Sequence, residues 1–510
     1  MVVKCNSFGL YGIDSYPVEV EASVSMGMPA FDIVGLPDAS VKESRDRVRS
    51  AMKNNGFNFP ASRITINLAP ADIRKEGPIY DLPILIAVLK ATGQLNADVS
   101  DCAFIGELSL AGELRAVNGI LPMTIKARET GIKRLFVPYD NGKEGAVVEG
   151  IEVYPVKDIF QLVRYFVDSD FNLTVAVADK NKPEENSAMP DFSQVRGQYE
   201  AKRAMEIAAA GSHNVLLIGP PGSGKSMLAK RMPSILPDMT FQEQIETTKI
   251  HSIAGVLPKD SPLISKRPFR SPHHNISAVG MTGGGSFPKP GEISLAHNGV
   301  LFLDELPEFT RNTMEALRQP IEDGVVTISR VKSTLRYPCS FMLIAAMNPC
   351  PCGFYNHPTR KCTCSPSMIS KYLNRVSGPI LDRFDIHIEV PPVEYEDLSS
   401  AEPEESSAQI KKRVDKAREI QRLRFRDTDI TCNARIDSSM FHKVCEISDD
   451  ANKLLKKAFE NMGLSARAYD RILKVARTIA DLDGSTLIKA DHVAEAVQYR
   501  SLDRKYWGST

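Results

Sequence analysis

A glycine-rich loop that ends in Gly-Lys-Ser carries the most specific chemistry in this sequence. The run NVLLIGPPGSGKSM places Gly219, four residues and then Gly224-Lys225-Ser226 directly after an apolar strand. Glycines at this spacing let backbone N–H groups surround a polyphosphate, and the next helix offers its positive end. We expect Lys225 to contact the phosphates of a nucleoside triphosphate and Ser226 to hold Mg²⁺. The predicted nucleotide contacts are Gly219, Pro220, Pro221, Gly222, Ser223, Gly224, Lys225, Ser226 and Met227.

Two further apolar runs end in polar residues that would complete such a site. GVLFLDEL ends its buried strand in Asp304, placed to order the Mg²⁺ shell, and in Glu305, which can polarise a water for attack on the γ-phosphate. FMLIAAMN ends in Asn348, placed to help hold that water. An acidic pair after a strand also begins many solvated helices, but the nearby P-loop pattern favours the catalytic interpretation.

Two arginines fit positions that complete nucleotide sites. Arg383, in SGPILDRFDIHIEV, lies between a helix end and a strand, where an arginine commonly reaches the γ-phosphate of a neighbouring subunit's nucleotide. Arg467, in LSARAYDRIL, begins a late helix and would complete the site from a helical lid. A surface arginine at a helix start remains the alternative for Arg467.

Four of the nine cysteines form two Cys-x-Cys pairs in CPCGFYNHPTRKCTC. Four thiolates on a short loop suit a tetrahedral Zn²⁺, with His357 as a competing ligand. Reduced thiols in an ordinary loop are the alternative, and disulfides are disfavoured in a cytosolic protein. The candidate zinc ligands are Cys350, Cys352, Cys362 and Cys364.

Composition and patterning describe a folded chain of several domains. It has 510 residues, 43% of them hydrophobic, and its 63 basic and 63 acidic residues cancel. Any nucleic-acid contact must therefore come from local basic loops or from assembly. The start lacks a signal-peptide pattern and the apolar runs are short, so we expect a soluble, cytoplasmic protein without membrane contact. We predict an α/β domain over 1–170, a linker over 178–190, a nucleotide-binding core with a parallel sheet over 191–392 that carries the Cys-rich loop 350–364, and a helical domain over 405–510.

Five segments together resemble the magnesium-chelatase-like AAA+ ATPases, and most closely the YifB/ComM family: GPPGSGKS, RPFRSPHHNIS, GEISLAHNGVLFLDEL, NPCPCG and SGPILDRFDIHIEV. The resemblance extends over essentially the whole chain. It implies an AAA+ core with a helical lid, homo-hexameric rings, and ATP with Mg²⁺ as cofactors. It also implies an ATP-driven motor on single-stranded or branched DNA, a helicase for branch migration in recombination or natural transformation.

The resemblance also implies a role for each residue of the predicted nucleotide site. Lys225 and Ser226 would belong to Walker A, Asp304 and Glu305 to Walker B, Asn348 would be sensor 1, Arg383 the arginine finger and Arg467 sensor 2. Arg375, in KYLNRVSGP, is the second candidate for the finger.

The N-terminal domain resembles the proteolytic domain of Lon proteases but lacks its catalytic pair. That chemistry needs a serine after Gly-Pro and a lysine from a later helix. In KEGPIYDLP the serine position holds Ile79, and NGILPMTIKARE offers Leu121 and Met123 where the lysine is expected. We therefore expect a Lon-protease-like α/β domain without proteolytic activity.

Two basic loops are the candidate DNA contacts. EDGVVTISRVKSTLRYP predicts a β-hairpin with Arg330 and Lys332 near its tip, and it resembles the pre-sensor-1 hairpin of replicative helicases. GMTGGGSFPKPGEIS carries Phe287 and Lys289 on a flexible glycine run, which suits backbone tracking and base stacking. A solvated hairpin with incidental charge is the alternative.

Three function classes remain open at this point. A hexameric DNA motor is the favoured one. A protein-remodelling chelatase-like ATPase without DNA activity is the second, and an ATP-dependent protease is the third, which the missing serine and lysine disfavour.

The neighbours His273 and His274 look like a metal pair, but adjacent residues face opposite ways on a strand, so we expect structural roles for them.

Overall fold

The computed structural model describes residues 2–178, 189–258, 261–285, 288–330, 333–393, 395, 403–462 and 464–507. It divides into two compact units. The first unit is built from the N-terminal part of the chain and from two later segments, Gln244–Ile264 and Val331–Arg336. The second unit comprises Asn186–Glu243, Ser265–Arg330 and Tyr337–Thr510. No helix within the described residues is long and apolar enough to cross a membrane.

The first unit contains a mixed seven-stranded sheet in the order β3-β4-β2-β1-β5-β8-β9, with β6 and β7 as a separate short ladder. Strand β2 runs antiparallel to β1 and β4, and the other neighbours are parallel. The strands are β1 (Val2–Tyr11), β2 (Asp14–Ser25), β3 (Ala30–Val34), β4 (Arg63–Ala69), β5 (Cys102–Phe104), β6 (Glu107–Leu108), β7 (Leu114–Arg115), β8 (Arg134–Pro138) and β9 (Glu152–Val156).

The helices of this unit cover the sheet. Asp38 caps the first helix by accepting a hydrogen bond from the Val41 N–H at 2.7 Å. The second helix reads DLPILIAVLKA and is buried on every face, as its continuous apolar run requires. The helices are α1 (Ala39–Asn54), α2 (Asp81–Ala91), α3 (Ile120–Glu129), α4 (Gly142–Gly145) and α5 (Ile159–Val167).

The three positions compared with the Lon catalytic pair lie in the apolar interior of this unit. Ile79 precedes α2 and is buried, and Leu121 and Met123 are fully buried on α3. A hydrocarbon side chain carries no nucleophile or base. These positions therefore contribute packing to the mixed α/β unit.

The second unit contains a five-stranded, entirely parallel sheet in the order β11-β14-β17-β10-β18. Its central strands are short apolar runs that are buried throughout, which confirms the predicted parallel core. The strands of this unit and its small ladders are β10 (Val215–Ile218), β11 (Phe269–Arg270), β12 (Gly283–Gly284), β13 (Lys289–Pro290), β14 (Val300–Leu303), β15 (Val325–Arg330), β16 (Ser333–Pro338), β17 (Met342–Met347) and β18 (Ile386–Glu389). Its connecting helices are α6 (Tyr199–Gly211), α7 (Lys225–Ile235), α8 (Phe241–Ala254), α9 (Ala278–Thr282), α10 (Glu292–Leu295), α11 (Arg311–Asp323), α12 (Pro366–Leu373) and α13 (Gly378–Leu381). Most of α8, from Gln244 onward, and the first four residues of β16 belong to the first unit.

The C-terminal part of the second unit is helical, as predicted. A capping box between Ser406 and Gln409 begins its first long helix. Apolar side chains at helical spacing, such as Ile410, Val414 and Ala417, join the core that also contains the sheet strands. The helices are α14 (Ser407–Arg424), α15 (Phe441–Val444), α16 (Asp449–Met462), α17 (Ala466–Leu482), α18 (Ala490–Gln498) and α19 (Ser501–Trp507).

A buried ionic network ties these helices together. The Asp481 carboxylate, fully buried on α17, accepts hydrogen bonds from Arg424 of α14, from Asn433 at 2.8 Å and from Arg477 Nε at 3.1 Å. Both oxygens are thus satisfied, and the two guanidinium groups share one carboxylate. Removing that carboxylate leaves buried positive charge without compensation.

We predict that Asp481→Ala destabilises the protein by about 3–5 kcal/mol, because it leaves the almost fully buried Arg477 without its carboxylate partner. Chemical denaturation followed by circular dichroism should show the unfolding midpoint at a lower denaturant concentration. Asp450→Ala is the matched control, since Asp450 is 83% exposed and pairs with exposed Lys453 on α16. Equal midpoints for the two variants would contradict the prediction.

Candidate nucleotide-binding site

The P-loop connects β10 to α7 and buries the amine of Lys225. Gly224 precedes the helix in a left-handed conformation, with φ at 91°, which a residue with a Cβ rarely adopts. Lys225 begins α7, and its Nζ donates to the carbonyl oxygens of Gly219 at 2.7 Å and Pro220 at 2.8 Å. It also donates to Asn348 Oδ1 at 3.2 Å. All three acceptors are neutral, so these contacts leave the positive charge of the lysine uncompensated.

The environment of Lys225 disfavours its charged form. Burial lowers the pKa of Lys225 to about 8, and the negative charge of Asp304 only partly opposes this effect. A polyphosphate at the start of α7 would supply the missing negative charge and would also meet the N–H groups of the helix end. The site is therefore built to attract an anion.

The residues predicted to hold Mg²⁺ lie in contact with each other. Ser226 Oγ donates to Asp304 Oδ2 at 2.7 Å, and the Glu305 N–H donates to Asp304 Oδ1 at 3.0 Å. Hydroxyl and carboxylate oxygens are the ligands that Mg²⁺ prefers. Ser226 and Asp304 thus fit the predicted ion.

The strand order explains why these residues meet. β10, β17 and β14 are adjacent and parallel, with Ile218 level with Met347 and Leu303 level with Ala345. The carboxyl ends of all three strands therefore lie at one edge of the sheet, which we call the nucleotide edge. Residues at or shortly after these strand ends lie close together there. They are Lys225, Ser226, Asp304, Glu305 and Asn348.

Glu305 has an unusual backbone and an unexpected partner. It adopts the left-handed conformation with φ at 54°, which is rare for a residue with a side chain and typical of functional sites. Its carboxylate, 58% exposed, lies 3.3 Å from Nδ1 of His274. The Glu305 carboxylate is exposed enough to change its rotamer. In the orientation seen here it contacts His274.

The strand assumed in the expectation for the two histidines is absent at these residues. His273 and His274 lie in an irregular turn after β11, and their ring centroids are only 4.1 Å apart. The strand rule that predicted opposite directions does not apply in a turn. His274 is a site residue that sequence reasoning missed, because no periodic pattern links it to Glu305. Its position in RPFRSPHHNIS, just after a strand next to β14, was the available signal.

Arg383 lies at the other edge of the same sheet. Its carbonyl oxygen accepts from Asn214 Nδ2 at 2.9 Å, and Asn214 precedes β10, whose far end leads into the P-loop. The four residues of β10 span roughly 13 Å. The Arg383 guanidinium is buried, pairs with Glu322 of α11, and leaves Nε and Nη1 without a hydrogen-bond partner in the described part of the chain.

Arg467 lies near Arg383 rather than near the P-loop. Its guanidinium is exposed and 3.8 Å from the carboxylate of Asp382, and Arg471, one helical turn later, lies 3.4 Å from Asp385. We call the edge that carries Arg383 and Arg467 the arginine edge. The second finger candidate, Arg375, is half exposed and pairs with Glu308 at 2.8 Å. The fold therefore does not bring Arg383 and Arg467 to the P-loop of their own chain.

A hydrogen bond joins the described bases of the two loops predicted to contact DNA. Lys332 and Phe287 fall outside the described residues, and Arg330 ends β15. Lys289 is exposed on β13, which pairs with the glycines of β12. Buried Tyr337, on β16, donates its hydroxyl proton to the Pro288 carbonyl oxygen at 2.9 Å. The base of the hairpin therefore supports the loop next to Lys289.

The four predicted cysteines converge on one point. Their Sγ atoms all lie within 4.8 Å of one another, with separations of 3.4 Å for Cys350–Cys352, 3.7 Å for Cys350–Cys362 and 3.6 Å for Cys352–Cys362. Tetrahedral zinc with Zn–S bonds of about 2.3 Å separates its sulfurs by about 3.8 Å. The donor set and spacing fit Zn²⁺.

The protonation of this cluster is uneven. Burial raises the pKa of Cys350 to about 12. Burial acts the same way on Cys352, but hydrogen bonds from the backbone of Phe354 and Thr363 outweigh it and lower the pKa of Cys352 to about 5. The competing ligand His357 is not part of the cluster, since its Nδ1 accepts from the N–H groups of Thr359 and Arg360.

Comparison with protein families finds the same kind of protein along most of the chain. Residues 191–398 match the family described as magnesium chelatase, subunit ChlI. Residues 20–141 match the family of subunit ChlI of Mg-chelatase, and residues 404–500 match its C-terminal family.

Curated relatives extend over nearly the full length. The protein YifB of Escherichia coli (strain K12) is 46% identical over 498 residues, which cover 97% of this chain and 96% of YifB. The competence protein ComM of Haemophilus influenzae is 44% identical over 498 residues, with the same coverage. The Lon protease of Metamycoplasma arthritidis is 24% identical over 180 residues, 33% of this chain and 21% of that protease.

The lowered pKa of Lys225, about 8, predicts that nucleotide binding takes up a proton in that pH range. The phosphates restore the ammonium form, so binding draws a proton from the buffer. Isothermal titration with MgADP near pH 8, in two buffers of different ionisation enthalpy, should give different heats. Near pH 6 the amine is already protonated, so the difference should disappear. Heats that are independent of the buffer near pH 8 would refute this.

Proposed function

The chain belongs to the magnesium-chelatase-like AAA+ family that includes YifB and ComM, and we propose that it is an ATPase that works as a homo-hexameric motor on DNA. The substrate we propose is single-stranded or branched DNA during recombination or natural transformation. The observation that carries the ATPase is the convergence of Lys225, Ser226, Asp304 and Asn348 at the nucleotide edge.

Each residue at the nucleotide edge has a part in ATP hydrolysis. Lys225 would bind the β- and γ-phosphates, and Ser226 and Asp304 would hold Mg²⁺, which would neutralise charge on the phosphates. Glu305 accepts a proton from the attacking water once it turns from His274. Asn348, already at the Lys225 amine, orients that water.

The arginine edge serves the nucleotide of a neighbouring copy in this proposal. Arg383 and Arg467 lie at the opposite edge from the P-loop of their own chain. When two copies meet edge to edge, the arginines of one can approach the γ-phosphate bound by the other and stabilise charge in the transition state. Arg383 must then exchange its Glu322 partner for the phosphate.

The adjacent loops support DNA as the substrate of the motor. Tyr337 fixes the base of the β15–β16 hairpin to the carbonyl of Pro288, beside the exposed Lys289. Movement of one loop would therefore be passed to the other. Basic side chains on coupled loops can follow a phosphate backbone, with Phe287 available for base stacking. A chain of zero net charge needs such local concentration of basic residues.

We predict that single-stranded or forked DNA raises the ATPase rate several-fold, and that Lys332→Ala abolishes this stimulation while basal hydrolysis stays intact. The physical reason is that Lys332 belongs to the proposed DNA contact and lies outside the residues of the ATP site. ATPase rates at low salt, with and without DNA, measure both quantities.

Lys453→Ala is the control, because this exposed lysine on α16 changes the charge by the same amount elsewhere. Its stimulation should equal that of the wild type. Absence of stimulation by any DNA would overturn the DNA motor and favour a protein-remodelling ATPase.

We also propose structural Zn²⁺ as a cofactor, bound by the four converging thiolates. The support is the donor set of Cys350, Cys352, Cys362 and Cys364 and the sulfur spacing. A metal at this point would replace mutual contacts of the sulfurs by metal–sulfur bonds and would fix both ends of the loop 350–364.

Purified protein is predicted to contain about one zinc ion per chain, measured by inductively coupled plasma mass spectrometry. Cys362→Ser should lose most of it because serine is a poor zinc ligand. Cys339→Ser should keep it, since Cys339 is buried away from the cluster and hydrogen-bonds to the Pro320 carbonyl. Equal zinc in all three proteins would defeat the four-thiolate site.

A further inference from the structure

We propose that the four-cysteine metal centre braces the P-loop, so that metal binding and nucleotide binding strengthen each other. This inference rests on the proposed zinc and ATP sites and adds a coupling between them. It assigns Gly353, a residue with no side chain of its own, as the positioning residue that joins the two sites.

The first link is continuous chain. Asn348 Oδ1 contacts the Lys225 amine at 3.2 Å, and Cys350, buried, follows two residues later. Two residues of backbone span at most about 7 Å. A metal held by Cys350 therefore fixes the segment that presents Asn348 to the nucleotide.

The second link is a direct contact between the cysteine loop and the P-loop. Gly353 donates its N–H to the Cys350 carbonyl oxygen at 3.0 Å, so it belongs to the turn that also carries Cys352. It lies so close to Pro221 that a Cβ on Gly353 would be 2.4 Å from Pro221 Cδ and 2.7 Å from Cγ. Pro221 is part of the GPPGSGKS loop, and its rigid ring cannot rotate away from an added atom, so such an atom must displace the P-loop backbone itself.

The third link comes from the second cysteine pair. Cys364 is followed at once by Ser365, which caps α12 by accepting from the Met368 N–H at 3.3 Å. Tyr372 on this helix is buried, and its hydroxyl lies against the backbone of Asn348. Both cysteine pairs are thus attached to the residue that contacts Lys225.

These links give the coupling a physical cause. The P-loop binds phosphate through fixed N–H groups, so an ordered loop spares the entropy cost of ordering it on binding. A metal-bound turn holds Gly353 against Pro221 and favours that order. Linkage is reciprocal, so bound nucleotide must strengthen metal binding by the same free energy.

The first test measures this reciprocity in the wild-type protein. The fraction of zinc that passes to the chelator 4-(2-pyridylazo)resorcinol at equilibrium is measured by absorbance, with ADP, with AMP and without nucleotide. ADP should reduce the release several-fold, and AMP, which lacks the β-phosphate that the P-loop binds, should not. Equal release in all three conditions, with ADP bound, would overturn the coupling.

The second test places a methyl group at the contact. Gly353→Ala should keep its zinc but weaken ADP binding by roughly tenfold, about 1.4 kcal/mol, because the new Cβ pushes Pro221 away. Gly131→Ala is the matched control. Gly131 has nearly the same φ, 83° against 84°, with nothing within 4 Å of the added atom. It carries the same backbone strain without the contact.

The outcomes separate this inference from the proposals beneath it. Wild-type protein without zinc overturns the inference together with the zinc site. Wild-type protein that binds zinc but not ADP overturns it together with the ATPase. If both ligands bind and Gly353→Ala matches Gly131→Ala in ADP affinity and zinc release, the coupling alone is wrong.

Discussion

A buried lysine ammonium surrounded by neutral oxygens is the constraint on which the candidate site of the second unit depends. Two P-loop carbonyls and Asn348 solvate Lys225, and none of them cancels its charge. The cost of this burial appears as the lowered pKa of Lys225, about 8. A bound anion would stabilise the charged form of Lys225 and offset this cost. The parallel strands place this charge at the nucleotide edge of the sheet, next to Asp304.

The parts of this fold that were predicted from sequence are those with short-range causes. Four-residue apolar runs predicted buried parallel strands, and the structure confirms β10 and β14. The P-loop spacing predicted the order of strand, glycine-rich loop and helix around Lys225, because glycines and the helix start act within a few residues. Helical spacing of Ile410, Val414 and Ala417 predicted the C-terminal helices for the same reason.

The other features of the fold and of the candidate site depend on contacts between distant segments. The periodicity of apolar residues in the sequence cannot reveal such contacts. The segment Gln244–Ile264 follows the P-loop helix in sequence but packs in the first unit, where Ser252 donates to buried Glu144. His274 reaches Glu305 because a turn, not a strand, carries it. The burial of Arg383 against Glu322 likewise follows from tertiary packing. In each case the local sequence allows several partners and the fold selects one.

The placement of charges at two edges of one sheet has a consequence for assembly. Parallel strands cannot bring residues before β18 and residues after β10 to the same place, since the strand length separates them. In the proposed motor, Arg383 would therefore act on a nucleotide across an interface in which the arginine edge of one copy meets the nucleotide edge of the next. Such an interface joins two different surfaces, so it is heterologous. Heterologous contacts close into rings or continue as filaments, and the rotation between neighbours decides which. In the proposed motor the hydrolytic site would thus be shared between copies for topological reasons, and the number of copies would follow from the angle of their interface.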